Sequence, residues 1–113
     1  MEQFGDRVRM YVASGKTVVG YGAPTKATLL MEMSELEFSD ISFIVEDNLL
    51  KVDKFMPFTG VPILEVGELY RKKPDIIIIF AWNFYEDIIA KLKLQVDWPV
   101  TFLVPLPNFI EEK

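Results

Sequence analysis

The block Ile76-Ile77-Ile78-Ile79-Phe80 constrains this chain more than any other stretch. Ala81-Trp82 extends it, and the whole run has the length of a buried strand, far short of the roughly 18 apolar residues a membrane helix needs. Pro74-Asp75 breaks the chain before it and Asn83 follows it. A strand that is apolar on both sides has no face to offer to water. It belongs inside a parallel sheet with helices packed on both faces. The run therefore predicts the most hydrophobic, central strand of such a sheet.

The remaining pattern agrees. Phe4, Val8, Tyr11 and Val12 recur at helical spacing and predict an amphipathic helix over residues 2–14, stopped by Gly15. Thr17 to Tyr21 reads as a short β-branched strand. Pro24 fits a first helical turn, and Ala27, Leu29, Leu30, Met31 and Met33 carry that helix to about Ser34. Ile41 to Val45 is a second strand ending in Glu46-Asp47-Asn48. A long loop with Lys51, Lys54, Pro57 and Gly60 leads to a third strand, Val61 to Leu64. A short helix over 65–73 turns Val66, Leu69 and Tyr70 inward. After the isoleucine strand, Asn83 is a candidate cap for a helix over 84–94. Pro99 to Val104 is the last strand, followed by Pro105-Leu106-Pro107 and a charged tail. Strands joined by helical crossovers imply a parallel sheet. The expectation is an α/β, Rossmann-like three-layer sandwich, with a mostly parallel sheet of about five strands in the order 3-2-1-4-5. Residues 1–113 are read as one domain.

Composition narrows the chemistry. The 113 residues carry a formal net charge of -5 with no large Lys/Arg cluster, which argues against nucleic acid or anionic lipid as partners. No membrane span and no secretory signal stand out, so a cytoplasmic location is expected. There is no cysteine and no histidine. That removes thiolate and imidazole metal sites, the Cys-His pair and the Ser-His-Asp triad together. Acid–base chemistry is left to Asp, Glu, Lys and Tyr, and independent catalysis is not expected.

Three stretches fall at the carboxyl ends of predicted strands, where ligands of doubly wound sheets collect. The first is Gly20-Tyr21-Gly22-Ala23-Pro24-Thr25-Lys26-Ala27. Its two glycines allow close backbone approach to a ligand, the following helix offers free N–H groups, and Lys26 adds a positive charge. Thr25 stands where a dinucleotide fingerprint has its third glycine, and no Walker A loop is present. The stretch is either a tight strand–helix turn or a loop for an anion or nucleotide-like ligand. The second is Asp47, at about the interval from Gly22 at which an acidic residue binds ribose hydroxyls, or else an ordinary strand-ending turn former. The third is Ala81-Trp82-Asn83: a stacking plane and an amide fork, or a packed ring and a helix cap.

Taken together, GYGAPTKATLL, FIVEDNLLKVDKFMPFTGVPI, KPDIIIIFAWNFYEDII and FLVPLPNF resemble the C-terminal domain of the S-adenosylmethionine-dependent C-methyltransferases, a family that includes sugar C-methyltransferases. The resemblance covers about residues 17–109. It implies that a zinc-binding segment and a central domain, holding the methyl donor and the catalytic base, precede this module in the same polypeptide. It implies that the module closes over the acceptor, a nucleotide-linked sugar or similar small molecule. The chain is thus expected to be an excised C-terminal module, not catalytic alone, with no cofactor or metal of its own. S-adenosylmethionine belongs to the other domain. By family position, the resemblance assigns Tyr21, Gly22, Ala23, Lys26, Asp47, Trp82 and Asn83 to the surface facing the substrate. Ala27-Thr28 replaces the family's Gly-Asn, Asp53 stands where K-x-G has its glycine, and Pro57-Phe58-Thr59 keeps part of P-G-T. The alternatives are an independent nucleotide- or dinucleotide-binding module, or an interaction domain without a ligand.

Overall fold

The computed structural model describes residues 2–22, 24–47, 54–55 and 60–113. In chain order the elements are α1 (Glu2–Ala13), β1 (Val18–Tyr21), α2 (Pro24–Met33), a 3-10 turn (Phe38–Asp40), β2 (Ile44–Glu46), β3 (Lys54–Phe55), β4 (Pro62–Glu65), α3 (Gly67–Lys72), β5 (Ile76–Ile79), a 3-10 turn (Trp82–Phe84), α4 (Tyr85–Gln95), β6 (Thr101–Val104) and β7 (Ile110–Glu112). They form a seven-stranded sheet in the order β3-β4-β2-β1-β5-β6-β7. The inner five strands, β4-β2-β1-β5-β6, are parallel and reproduce the predicted 3-2-1-4-5 winding.

Strand count is the correction. Both additional strands are antiparallel edges, β3 on β4 and β7 on β6. β3 lies in the stretch read as a long loop; at two residues it is too short to show any alternation. β7 lies in the tail read as merely charged. There, successive side chains point to opposite faces of the sheet. Glu111 turns toward α1, where it pairs with Arg7 at 2.6 Å and accepts a hydrogen bond from the Tyr11 hydroxyl. Glu112 turns toward α4 and pairs with Lys93 at 2.5 Å. An acidic strand is held because each face of the sandwich supplies it with a cation.

The period-2 rule also sorts the core into two layers. Val18, Ile44, Ile63, Ile76, Ile78, Phe80 and Leu103 pack with Phe4 and Val8 of α1 and Ala27, Leu30 and Met31 of α2. Val19, Tyr21, Val45, Ile77, Ile79, Phe102 and Val104 pack with Leu69 of α3 and Ile89 and Leu92 of α4. All four isoleucines of β5 are buried, as a two-sided apolar strand requires. β5 lies next to β1, the middle strand of the seven.

The helices start and stop close to expectation, with α1 ending before Gly15 at φ +84°. One cap differs. Asn83 lies exposed within the 3-10 turn, and the N-cap of α4 is Phe84, which supplies no side-chain hydrogen bond to the helix.

Candidate functional site

β1, β2 and β5 run side by side in parallel, with Tyr21 in register with Val45 on one side and Ile79 on the other. Their carboxyl ends therefore open on one edge of the molecule, and the winding reverses between β1 and β5. The backbone ties the edge together. The Gly22 N–H donates to the Val45 carbonyl at 2.8 Å, and the Phe80 and Ala81 N–H groups donate to the Tyr21 carbonyl at 3.1 and 3.3 Å.

The two glycines of the β1–α2 turn do different work. Gly22 has φ +73°, a conformation that L side chains adopt only at a cost, so it makes the turn. Gly20 sits within β1, and a Cβ there would lie 2.6 Å from Phe80 Cε2 and 2.9 Å from Ile44 Cγ1. Its missing side chain leaves room for the Phe80 ring, not for a ligand.

Beside this turn lies a cleft of about 330 Å³ lined by Tyr21, Gly22, Glu46, Asp47, Ala81, Phe84, Asp87, Ile88 and Lys91. It straddles the reversal of the winding, where ligands of such sheets bind. Tyr21 is buried against the α3/α4 layer and its hydroxyl makes a long 3.5 Å contact to Asp47 Oδ2. Burial, then the Asp47 carboxylate, pushes the Tyr21 phenol up to about 12. At neutral pH Tyr21 is thus a proton donor with no capacity as a base. Tyr70 is raised in the same direction, by burial and then by Asp47. Among the described residues, no three acidic, histidine or cysteine side chains converge closely enough to hold a metal ion.

Of the residues assigned from the sequence, Tyr21, Gly22 and Asp47 meet in this cleft. Lys26 and Trp82 meet each other: Lys26 Nζ lies 4.7 Å from the centroid of the Trp82 ring. Trp82 is half-buried and packs against both core layers. Asn83 is exposed outside the cleft lining, and Ala23 lies outside the described residues.

Sequence reading missed the far wall. Phe84, Asp87, Ile88 and Lys91 line the cleft from one side of α4. Their spacing of three, four and seven residues marks a helical face, but its mixed chemistry matches neither a core stripe nor a solvated one. Phe84 is 65% exposed. It occupies an N-cap, where Ser, Thr, Asp or Asn is worth about 1 kcal/mol more than an apolar residue. It also forgoes most of the roughly 1.5–3 kcal/mol that burying such a ring yields.

A larger cleft of about 400 Å³ lies at the opposite edge, lined by Tyr11, Lys16, Asp75, Ile76, Pro99, Val100, Thr101 and Lys113. Asp75, at its centre, and the Tyr11 hydroxyl are engaged in the fold. Asp75 Oδ2 accepts the Thr17 N–H at 2.9 Å and the Asp75 carbonyl accepts the Thr101 N–H at 3.0 Å. Size favours this cleft, but chemistry and position favour the other.

Comparison with known proteins agrees with the family suggested by the sequence motifs. A family model described as the C-methyltransferase C-terminal domain matches residues 2–107. The C-methyltransferase NovU of Streptomyces niveus is 36% identical over 106 residues, which is 94% of this chain and 25% of that protein. The chain thus spans about a quarter of the length of this curated relative. No helix among the described residues is long and apolar enough to cross a membrane. This chain belongs to the C-methyltransferase C-terminal domain family.

Proposed function

We propose that this domain is the acceptor-side wall of a C-methyltransferase, one module of a longer polypeptide, and that it grips a nucleotide-linked sugar or a similar small acceptor. The observation that carries the reading is the cleft at the carboxyl ends of β1, β2 and β5, lined by Tyr21, Gly22 and Asp47. The family membership supplies the reaction class.

Methylation at a carbon beside a carbonyl requires loss of a proton from that carbon, a new C–C bond to the methyl group, and departure of the sulfur that carried it. These steps need fixed positions and exclusion of bulk water. The chain has no histidine, and Tyr21 stays protonated. The proposal therefore assigns the base and the methyl donor to another part of the polypeptide. This domain contributes binding. Asp47 accepts hydrogen bonds from ligand hydroxyls, Tyr21 supports that carboxylate, and Gly22 keeps the turn low enough for close approach.

Calorimetry tests the reading. The 113-residue chain is expected to bind a nucleoside diphosphate sugar and to give no heat with S-adenosylmethionine. Tight binding of S-adenosylmethionine alone would overturn the assignment of this domain to the acceptor side.

A further inference from the structure

Resting on the acceptor-side reading above, we infer that Phe84, not Trp82, is the aromatic platform of this site, and that it stacks on the nucleoside end of the acceptor. Trp82 is the ring the sequence offers for stacking, but it is already in use: it packs against both core layers and lies 4.7 Å from the Lys26 ammonium. Phe84 has neither of the ordinary reasons to be where it is. It stands at the N-cap of α4 without a side-chain hydrogen bond to the helix, and the residue is 65% exposed. It serves neither the local structure nor the core, yet it lines the cleft together with Asp47, Asp87 and Lys91.

The surrounding groups select among ligand parts. Among the described residues, Asp47 and Asp87 line the same cleft with one cation, Lys91. Carboxylates repel a diphosphate and accept hydrogen bonds from hydroxyl and N–H groups. The part of a nucleotide-linked acceptor that suits this lining is its uncharged nucleoside. The ribose hydroxyl lies toward Asp47, and the base lies with its face on Phe84 and its edge toward Asp87 and Lys91. A base has a π-face whatever its identity, so the platform sets the class of ligand and the edge groups its preference.

The test compares three probes by calorimetry on the wild-type chain and on Phe84→Ala and Phe84→Tyr. The probes are a nucleoside diphosphate sugar, the corresponding nucleoside diphosphate, and the sugar 1-phosphate without its nucleoside. The wild type is expected to bind the first two and not the third. Phe84→Ala should weaken both by about fivefold or more, the loss typical of one base–aromatic stack, and Phe84→Tyr should bind like the wild type. The thermal midpoint of Phe84→Ala should not fall. If the wild type binds the nucleotide sugar but Phe84→Ala binds it equally well, or if the sugar 1-phosphate binds as tightly, the platform is refuted while the acceptor-side reading stands. A fall in midpoint of several degrees for Phe84→Ala makes the ring structural and refutes it as well. Failure of the wild type to bind any probe refutes both.

Discussion

Gly20→Ala is the substitution whose cost the structure defines best. Gly20 sits in the middle strand, with Phe80, just past the end of the neighbouring β5, crossing the place its side chain would take. An added Cβ would lie 2.6 and 2.7 Å from two carbons of the Phe80 ring and 2.9 Å from Ile44 Cγ1. Phe80 and Ile44 are themselves fully buried, so the ring has no open space to swing into. Forcing a methyl into a filled core costs about 1–3 kcal/mol, more than the 0.5–1 kcal/mol by which Ala outdoes Gly in an unconstrained strand. The net cost is then about 0.5–2 kcal/mol, and since 1 kcal/mol moves the thermal midpoint of a domain of this length by about 4 °C, a fall of roughly 2–8 °C is expected. Differential scanning calorimetry measures it. The double variant Gly20→Ala/Phe80→Leu supplies the control. Shrinking the ring removes the clash, so the pair should be more stable than the sum of the single effects predicts. A midpoint within 1 °C of wild type, or two effects that simply add, would refute the claim that Gly20 exists for Phe80.

Other substitutions probe the same edge. Gly22→Ala should destabilise by about 1–2 kcal/mol in urea unfolding, because φ +73° is costly for alanine and its Cβ would meet Ala81 Cβ at 3.1 Å. Tyr21 gives a pH signature. Its phenol titrates near 12 when folded and near its ordinary 10.0 when unfolded, so the unfolded chain loses the proton first. The stability it contributes is complete below pH 10 and fades between pH 10 and 12, and Tyr21→Phe should flatten that part of the alkaline slope in urea midpoints. Lys26→Gln removes the ammonium 4.7 Å from Trp82. It should cost at most about 1 kcal/mol and shift Trp fluorescence, leaving the fold intact.

The parallel heart of the fold was legible because its physics is local and redundant. Four isoleucines in a row announce burial on both faces, and helices between strands dictate parallel pairing. The edges were not legible. β7 is stabilised by Arg7, Tyr11 and Lys93, residues distant in sequence, and Ile110-Glu111-Glu112 shows no sign of them. The site divides in the same way. Tyr21, Gly22 and Asp47 can be placed on one edge from sequence because they end strands, and in the fold those ends line one cleft. The α4 wall was missed because its members are ordinary residues until the helix is laid against the sheet. Trp82 reads from sequence as either a stacking plane or a packed ring; in the fold it meets Lys26, which follows a different strand. A sequence does not say which of two nearby aromatic rings the core will claim.

The central claim is that ligand meets the edge where β1, β2 and β5 end. Amide chemical shifts of the nitrogen-15-labelled chain, followed during titration with a nucleoside diphosphate sugar, test it most directly. The account predicts that Gly22, Asp47 and Phe84 move together and saturate with one affinity. Shifts confined to Lys16, Asp75 and Thr101, around the larger cleft at the other edge, would contradict it.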